Sequence, residues 1–229
     1  MSWFIKFITS SLGQKLVMSL TGLFLILFLL VHLLGNMQLF RDDDGYAFNA
    51  YTKFMTHNPL IEAVAILLYI FILLHSIQGV ALWLQNRRSR GPQAYAVKVT
   101  KTTGTNSFAS KNMASLGILI FVFLAIHMGD FWWKMKNGTA PVVQYEGEEY
   151  QDLYTIVVAS FQVDWIVILY LVAMVGLFFH LLHGFQSAFQ TLGINHKKYT
   201  PAIKFLGWVY AILVPLLFAA MPIYVYFFK

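Results

Sequence analysis

Cysteine is absent from the 229-residue chain, which excludes disulfides, thiolate metal sites, iron–sulfur clusters and thioether-linked haem. Any metal would have to rest on histidine or oxygen. Charge is scarce as well: Asp, Glu, Lys and Arg make up 11% of the residues, against roughly 25% in an ordinary soluble domain. With 59% hydrophobic residues, the composition is that of a membrane protein. A dinucleotide-binding glycine fingerprint is missing. So is a small-residue cleavage site after the opening stretch MSWFIKFITSSLGQK, so no removable signal peptide is expected and the first span is expected to stay in the mature protein. The net charge of +6 would point to nucleic acid in a soluble protein. Here its distribution along the chain carries more meaning, and no nucleic-acid partner is expected.

What the chain does have is long apolar runs. About 20 apolar residues cross the hydrocarbon core as a helix, with every backbone group satisfied inside the helix. Five segments qualify: residues 16–40, 60–86, 112–133, 165–193 and 205–228. The expected fold is therefore an all-α bundle of five transmembrane helices in a single membrane domain, 1–229. The fourth segment is the longest and is expected to continue past the lipid. The N-terminal segment and the connections after the second and fourth spans hold Lys6, Lys15, Arg87, Arg88, Arg90, Lys98, Lys101, Lys111, Lys197, Lys198 and Lys204, without one acid. All ten acids fall on the opposite side: Asp42, Asp43, Asp44, Glu62, Asp130, Glu146, Glu148, Glu149, Asp152 and Asp164. The positive-inside rule then puts the N-terminus and the basic connections in the cytoplasm. Trp83, Trp132, Trp133, Trp165 and Trp208 lie near span ends, where amphipathic rings prefer the interface. The basic, polar stretch within the cytoplasmic connection 87–111 fits either a solvated loop or a docking surface for a soluble partner.

Seven histidines are present. His57 and His196 fall in expected loops, as solvated polar residues. The other five, His32, His75, His127, His180 and His183, lie inside spans, where an ionisable residue is costly and turns to the bundle interior with a partner. A lone histidine could simply hydrogen-bond a neighbouring helix; four helices each supplying one is harder to explain that way. At about 1.5 Å per residue, His32 lies about 25 Å beyond Lys15 and His127 about 24 Å beyond Lys111, whereas His75 is only about 18 Å from Arg87. His180 comes late in a helix that runs from outside to inside. The histidines thus sort into an outer pair, His32 with His127, and an inner pair, His75 with His180. Two six-coordinate sites, one above the other, are what two stacked haems need. Both inner histidines are followed one turn later by glycine, Gly79 in HSIQG and Gly184 in HLLHG, where the absence of a side chain would admit a flat macrocycle. His183 is the alternative to His180, but lacks that glycine. The spans hold almost no acid to complete a carboxylate-supported metal centre.

The stretches MSLTGLFLILFLLVHLLGN with His32, HSIQGVALWLQNRR with His75, FLAIHMGD with His127 and HLLHGFQSAFQTLG with His180 resemble, over essentially the whole chain, a known family. This is the di-haem cytochrome b membrane anchor of succinate:quinone oxidoreductases, the succinate dehydrogenases and fumarate reductases. The resemblance implies two haems b, with His32 and His127 ligating the distal one and His75 and His180 the proximal one. It implies that Ser19 contacts a haem propionate. Lys15, Arg87 and Lys111 could neutralise propionates too, beside their ordinary place on the cytoplasmic side. The family's acidic residue for quinol chemistry maps onto Glu62 or onto none; a carboxylate at the outer end of the second span could relay protons to a quinone, and could equally favour a helix N-terminus through the dipole.

The resemblance further implies partners and place. A flavoprotein and an iron–sulfur subunit would dock on the cytoplasmic face, since dicarboxylate oxidation needs a flavin and clusters that this chain cannot hold. The chain would exchange electrons with a membrane quinone, menaquinone in preference to ubiquinone, in a bacterial cytoplasmic (inner) membrane. Two other readings stay open: the cytochrome b anchor of a different quinone-linked dehydrogenase, and a haem-free membrane transporter. The latter predicts polar pairs or broken helices at the midplane, and Pro215 and Pro222 could be read that way. The fifth span has no histidine or acid, and a kinked packing helix is expected there.

Overall fold

The computed structural model describes residues 2–91 and 108–229. Most of the basic stretch expected to be a loop or docking surface lies outside the described residues. Five helical stretches are long and apolar enough to cross a membrane: Ser11–Phe40, Pro59–Arg90, Phe108–Lys136, Asp164–Thr191 and Thr200–Phe228. They are built from helices α2 (Ser11–Asn36), α4 (Pro59–Arg90), α5 (Phe108–His127), α8 (Asp164–Thr191) and α9 (Thr200–Phe228), and a short α1 (Trp3–Thr9) precedes them. A 3-10 turn, Met37–Phe40, extends α2, and a π-helical turn, Met128–Trp132, joins α5 to α6 (Trp133–Lys136).

Two expectations about length are corrected. The fourth stretch is not the longest: at 28 residues it is shorter than the second, at 32, and the extension past the apolar run belongs to α4, which stays helical through Arg87, Arg88 and Arg90. Each stretch also starts ahead of its expected apolar limit, and for the first two a side-chain cap sets the start rather than hydropathy. The Ser10 hydroxyl accepts the Gly13 N–H at 3.1 Å and starts α2 five residues before Leu16. The Asn58 side-chain oxygen, Oδ1, accepts the Leu60 N–H at 3.0 Å ahead of Pro59, whose missing donor costs nothing at a helix start.

Neighbouring spans run antiparallel, as their contacts show: Phe24 meets Phe71 while Met18 faces Gly79, and Phe185 meets Tyr210 while Tyr226 binds Asp164. One end of the bundle therefore collects the bases Lys15, Arg87, Arg88, Lys111 and Lys204, and the other collects the acids. Large apolar side chains such as Leu27, Ile66, Ile168, Val175 and Leu216 point outward and are exposed, whereas histidines lie inside. Such a surface suits lipid. Helices α8 and α9 approach closely through Ala173 and Ala211, both fully buried. The Tyr210 hydroxyl crosses to the Ile26 carbonyl at 2.5 Å. Pro215 and Pro222 are buried within α9, which stays helical through both.

The connections at the acidic end were expected as loops and are not. They fold into α3 (Tyr46–His57), a hairpin of β1 (Val142–Tyr145) and β2 (Glu148–Gln151), and α7 (Leu153–Phe161). His57 accordingly closes a helix instead of lying in a loop. The hairpin pairs Val142 with Gln151 and Tyr145 with Glu148; its two turn residues, Glu146 and Gly147, both have positive φ, as a two-residue turn matching strand twist requires. Helix α3 lies against the end of α2 at Gly35, where any side chain would strike the Tyr51 ring. Gly45, at φ +83, starts α3 and is packed under Tyr154. Asn49 ties the cap together: 1% exposed, it donates to Asp152 at 2.9 Å and to the Tyr145 hydroxyl at 3.3 Å, and accepts the Tyr154 N–H at 3.0 Å. Lys53 adds an ion pair to Glu148 at 3.1 Å, and this hydrogen bond holds the Glu148 carboxyl below its usual range.

Candidate functional site

Inside the bundle, rings from four helices meet in two pairs. His32 of α2 and His127 of α5 have centroids 5.8 Å apart and planes at 89°. His75 of α4 and His180 of α8 have centroids 6.2 Å apart and planes at 67°. All four are half-buried. The inner pair lies at the level of Gly22 and Gly117, so it is separated from the outer pair by about 15 Å, ten residues of rise.

Each ring is held by its surroundings. His127 Nδ1 is 2.9 Å from the Tyr170 hydroxyl; Phe123 stacks on the ring and Phe131 meets its edge. The π-helical turn begins immediately after His127, and such turns recur at functional sites. His32 sits between Phe28 and Phe218. Asn36 donates to the His32 carbonyl at 2.8 Å and is 3.4 Å from either ring nitrogen, too far for a firm bond to the ring. His75 Nδ1 is 3.2 Å from the Thr21 hydroxyl. His180 Nδ1 is buried without a hydrogen-bond partner. His183 makes no hydrogen bond and no ring contact among the described residues, so the ring paired with His75 is that of His180.

Two glycines other than Gly79 and Gly184 make room for the inner imidazoles. A side chain at Gly22 would come within 3.2 Å of His75 Cε1, and one at Gly117 within 3.8 Å of His180 Cε1. Gly79 instead faces the Met18 methyl at 3.5 Å, and the side-chain position of Gly184 opens onto free space. Ser19 is buried, with its hydroxyl donating to the Lys15 carbonyl at 2.9 Å. Glu62 is exposed in the first turn of α4 and its carboxylate has no hydrogen-bond partner among the described residues. His57 Nδ1 is turned back to the Lys53 carbonyl at 2.9 Å. The acid nearest in effect to the outer pair is Asp130, in the π-helical turn, whose charge acts on the Tyr170 hydroxyl.

Sequence reasoning missed Thr21, Tyr170, Asp130, Gly22 and Gly117. The available signal was a hydroxyl or a glycine inside an apolar run, which is too common in membrane helices to stand out.

The donor set can be tested for the group it fits. Among the described residues no three of His, Cys, Asp and Glu cluster as a metal site; each pair offers two imidazoles and nothing more. A metal held there takes its remaining ligands from a group that is not protein, and a porphyrin supplies four in one plane. A histidine nitrogen binds metal at about 2.0–2.1 Å, so two imidazoles sharing one ion have centroids about 6.4 Å apart once a ring radius of about 1.2 Å is added on each side. His75 and His180, at 6.2 Å, lie near that separation, and His32 and His127, at 5.8 Å, are drawn closer than it. For His75 and His127 the Nδ1 side faces a hydroxyl, which leaves Nε2 as the atom that could bind a metal, with the ring orientation fixed by an outer hydrogen bond. No family model, curated protein or solved structure matches the chain.

Proposed function

We propose that the chain is the di-haem, quinone-reactive membrane anchor of a succinate dehydrogenase or fumarate reductase. The observation that supports this best is the meeting of four histidines from four helices as two pairs at two levels, with no third His, Cys, Asp or Glu clustered at either pair among the described residues. Bis-histidine haem b, when bound, is a one-electron carrier whose potential the surrounding residues tune. His32 and His127 would hold one haem towards the acidic end, and His75 and His180 the other towards the basic end. Lys15, Arg87 and Lys111 lie at the basic end, where they complement propionates and an acidic partner surface. By the positive-inside rule that end faces the cytoplasm, and a flavoprotein and an iron–sulfur subunit would dock there. The membrane is the bacterial cytoplasmic one, and the quinone is menaquinone. Quinone would react near the acidic end, where Glu62 is the carboxylate at the interface and His57 a weaker candidate. The level difference has an energetic consequence of its own: a unit charge moved about 15 Å through a core of about 30 Å crosses half the membrane potential, about 1.2 kcal/mol per 100 mV.

Haem content per chain tests the reading. A pyridine haemochrome assay of protein made with ample haem is expected to give two haems b in the wild type, one in His180→Ala and two in His183→Ala. A wild-type value of zero or one refutes the di-haem reading; a reversed pattern in the two variants exchanges the inner ligand for His183.

A further inference from the structure

The rings around His127 share one limitation: they cannot tell nitrogen from carbon. Rotating the imidazole by half a turn about its Cβ–Cγ bond exchanges Nδ1 with Cδ2 and Nε2 with Cε1, while leaving its outline almost unchanged. Phe123, stacked at 5.7 Å and 29°, and Phe131, edge-on at 5.4 Å and 76°, pack equally well against either orientation. Tyr170 does not. Its hydroxyl is 2.9 Å from Nδ1, the side chain is only 7% exposed, and Phe123 and Phe161 clamp its ring edge-to-face at 4.8 and 4.9 Å. A flipped His127 would set a carbon against the hydroxyl and leave a buried polar group short of a partner, which disfavours that orientation.

We propose that Tyr170 is the positioning residue of the outer pair: its hydroxyl selects the orientation of His127 in which Nδ1 is engaged and Nε2 is the ring's remaining donor atom. This rests on the reading of the pair as axial ligands. Once Nε2 gives its lone pair to a metal, Nδ1 must carry the ring proton and donate it to the phenol oxygen, and such a hydrogen bond raises the basicity of the ligand. A more basic ligand stabilises the oxidised metal. The inner pair differs, since Thr21 serves His75 Nδ1 and His180 Nδ1 has no partner among the described residues, so the effect of Tyr170 is confined to one of the two sites.

The experiment is a redox titration of the purified haem-loaded protein, followed optically and by low-temperature electron paramagnetic resonance, in wild type and Tyr170→Phe. The phenylalanine keeps the packing and removes only the hydroxyl. The expected result is a positive shift of the outer midpoint potential with altered axial-ligand signals, the inner haem serving as an unchanged internal control. Selective loss of the outer haem would support the role equally. An outer haem with unaltered potential and signals would overturn the proposal while leaving the di-haem reading intact. Wild-type protein without haem would overturn both. If Tyr170→Phe does not assemble, replacement of Tyr170 by a ring-fluorinated tyrosine keeps shape and hydroxyl while weakening the oxygen as an acceptor. It is expected to shift the outer potential in the same direction, and no shift would again refute the role.

Discussion

Among single residues, position and partnership separate. Glu62 has the position of a proton-transfer group, at the outer end of a span below His57 and Asn58, yet its carboxylate is exposed and occupies the first helical turn, where the dipole favours a negative charge. Asp130 has the opposite profile, half-buried beside the outer pair and acting on Tyr170. If Glu62 relays protons to quinone, Glu62→Gln lowers quinone-linked turnover about a hundredfold, the lower end of what general acid–base catalysis contributes, while haem content and dye-linked succinate oxidation by the assembled complex stay near wild type. Quinone-linked rates within twofold of wild type would remove Glu62 from the mechanism and leave Asp130 as the carboxylate to vary next.

At the level of elements, helix ends and connections were less legible than helix middles. The five spans followed from apolar length, but their limits were set by Ser10 and Asn58 acting as caps. The structure of the acidic end came from short segments whose local signals are weak. The four-residue strands β1 and β2 are too brief to show an alternation, and the nine-residue α7 reads as one more apolar stretch. What stabilises this cap is a buried polar side chain whose three partners lie about a hundred residues away along the chain. Asn49→Ala is therefore expected to destabilise the cap by about 1–3 kcal/mol, because the Tyr154 N–H and the Asp152 carboxylate lose their buried partner. Proteolysis at the 142–151 hairpin should accelerate while the helical content of the bundle, read by circular dichroism, holds. An unchanged cleavage rate would show that the ion pair of Lys53 with Glu148 and the apolar contacts suffice.

For the whole molecule, the separation of charge along the bundle predicts sidedness, and the lack of cysteine makes it directly testable. Single cysteines at exposed positions of the two ends, Glu146→Cys and Lys198→Cys, provide the only thiols. With a membrane-impermeant maleimide on spheroplasts, the first is expected to label at once and the second only after permeabilisation. The reverse pattern would invert the orientation and put the basic end outside.

Length and composition alone determined the number of spans, the gathering of every acid at one end, and the depth of each histidine, because hydrophobic thickness and rise per residue are properties of a single helix. The pairing by depth, His32 with His127 and His75 with His180, is the pairing of rings in the structure. What only the tertiary structure decided was everything that depends on how each helix is rotated against its neighbours: that Tyr170 meets His127 and Thr21 meets His75, that Gly22 rather than Gly79 makes room for an imidazole, and that His180 rather than His183 meets the His75 ring. A helix states its own length and depth; the direction in which its side chains meet others is settled by packing against helices far away in the chain.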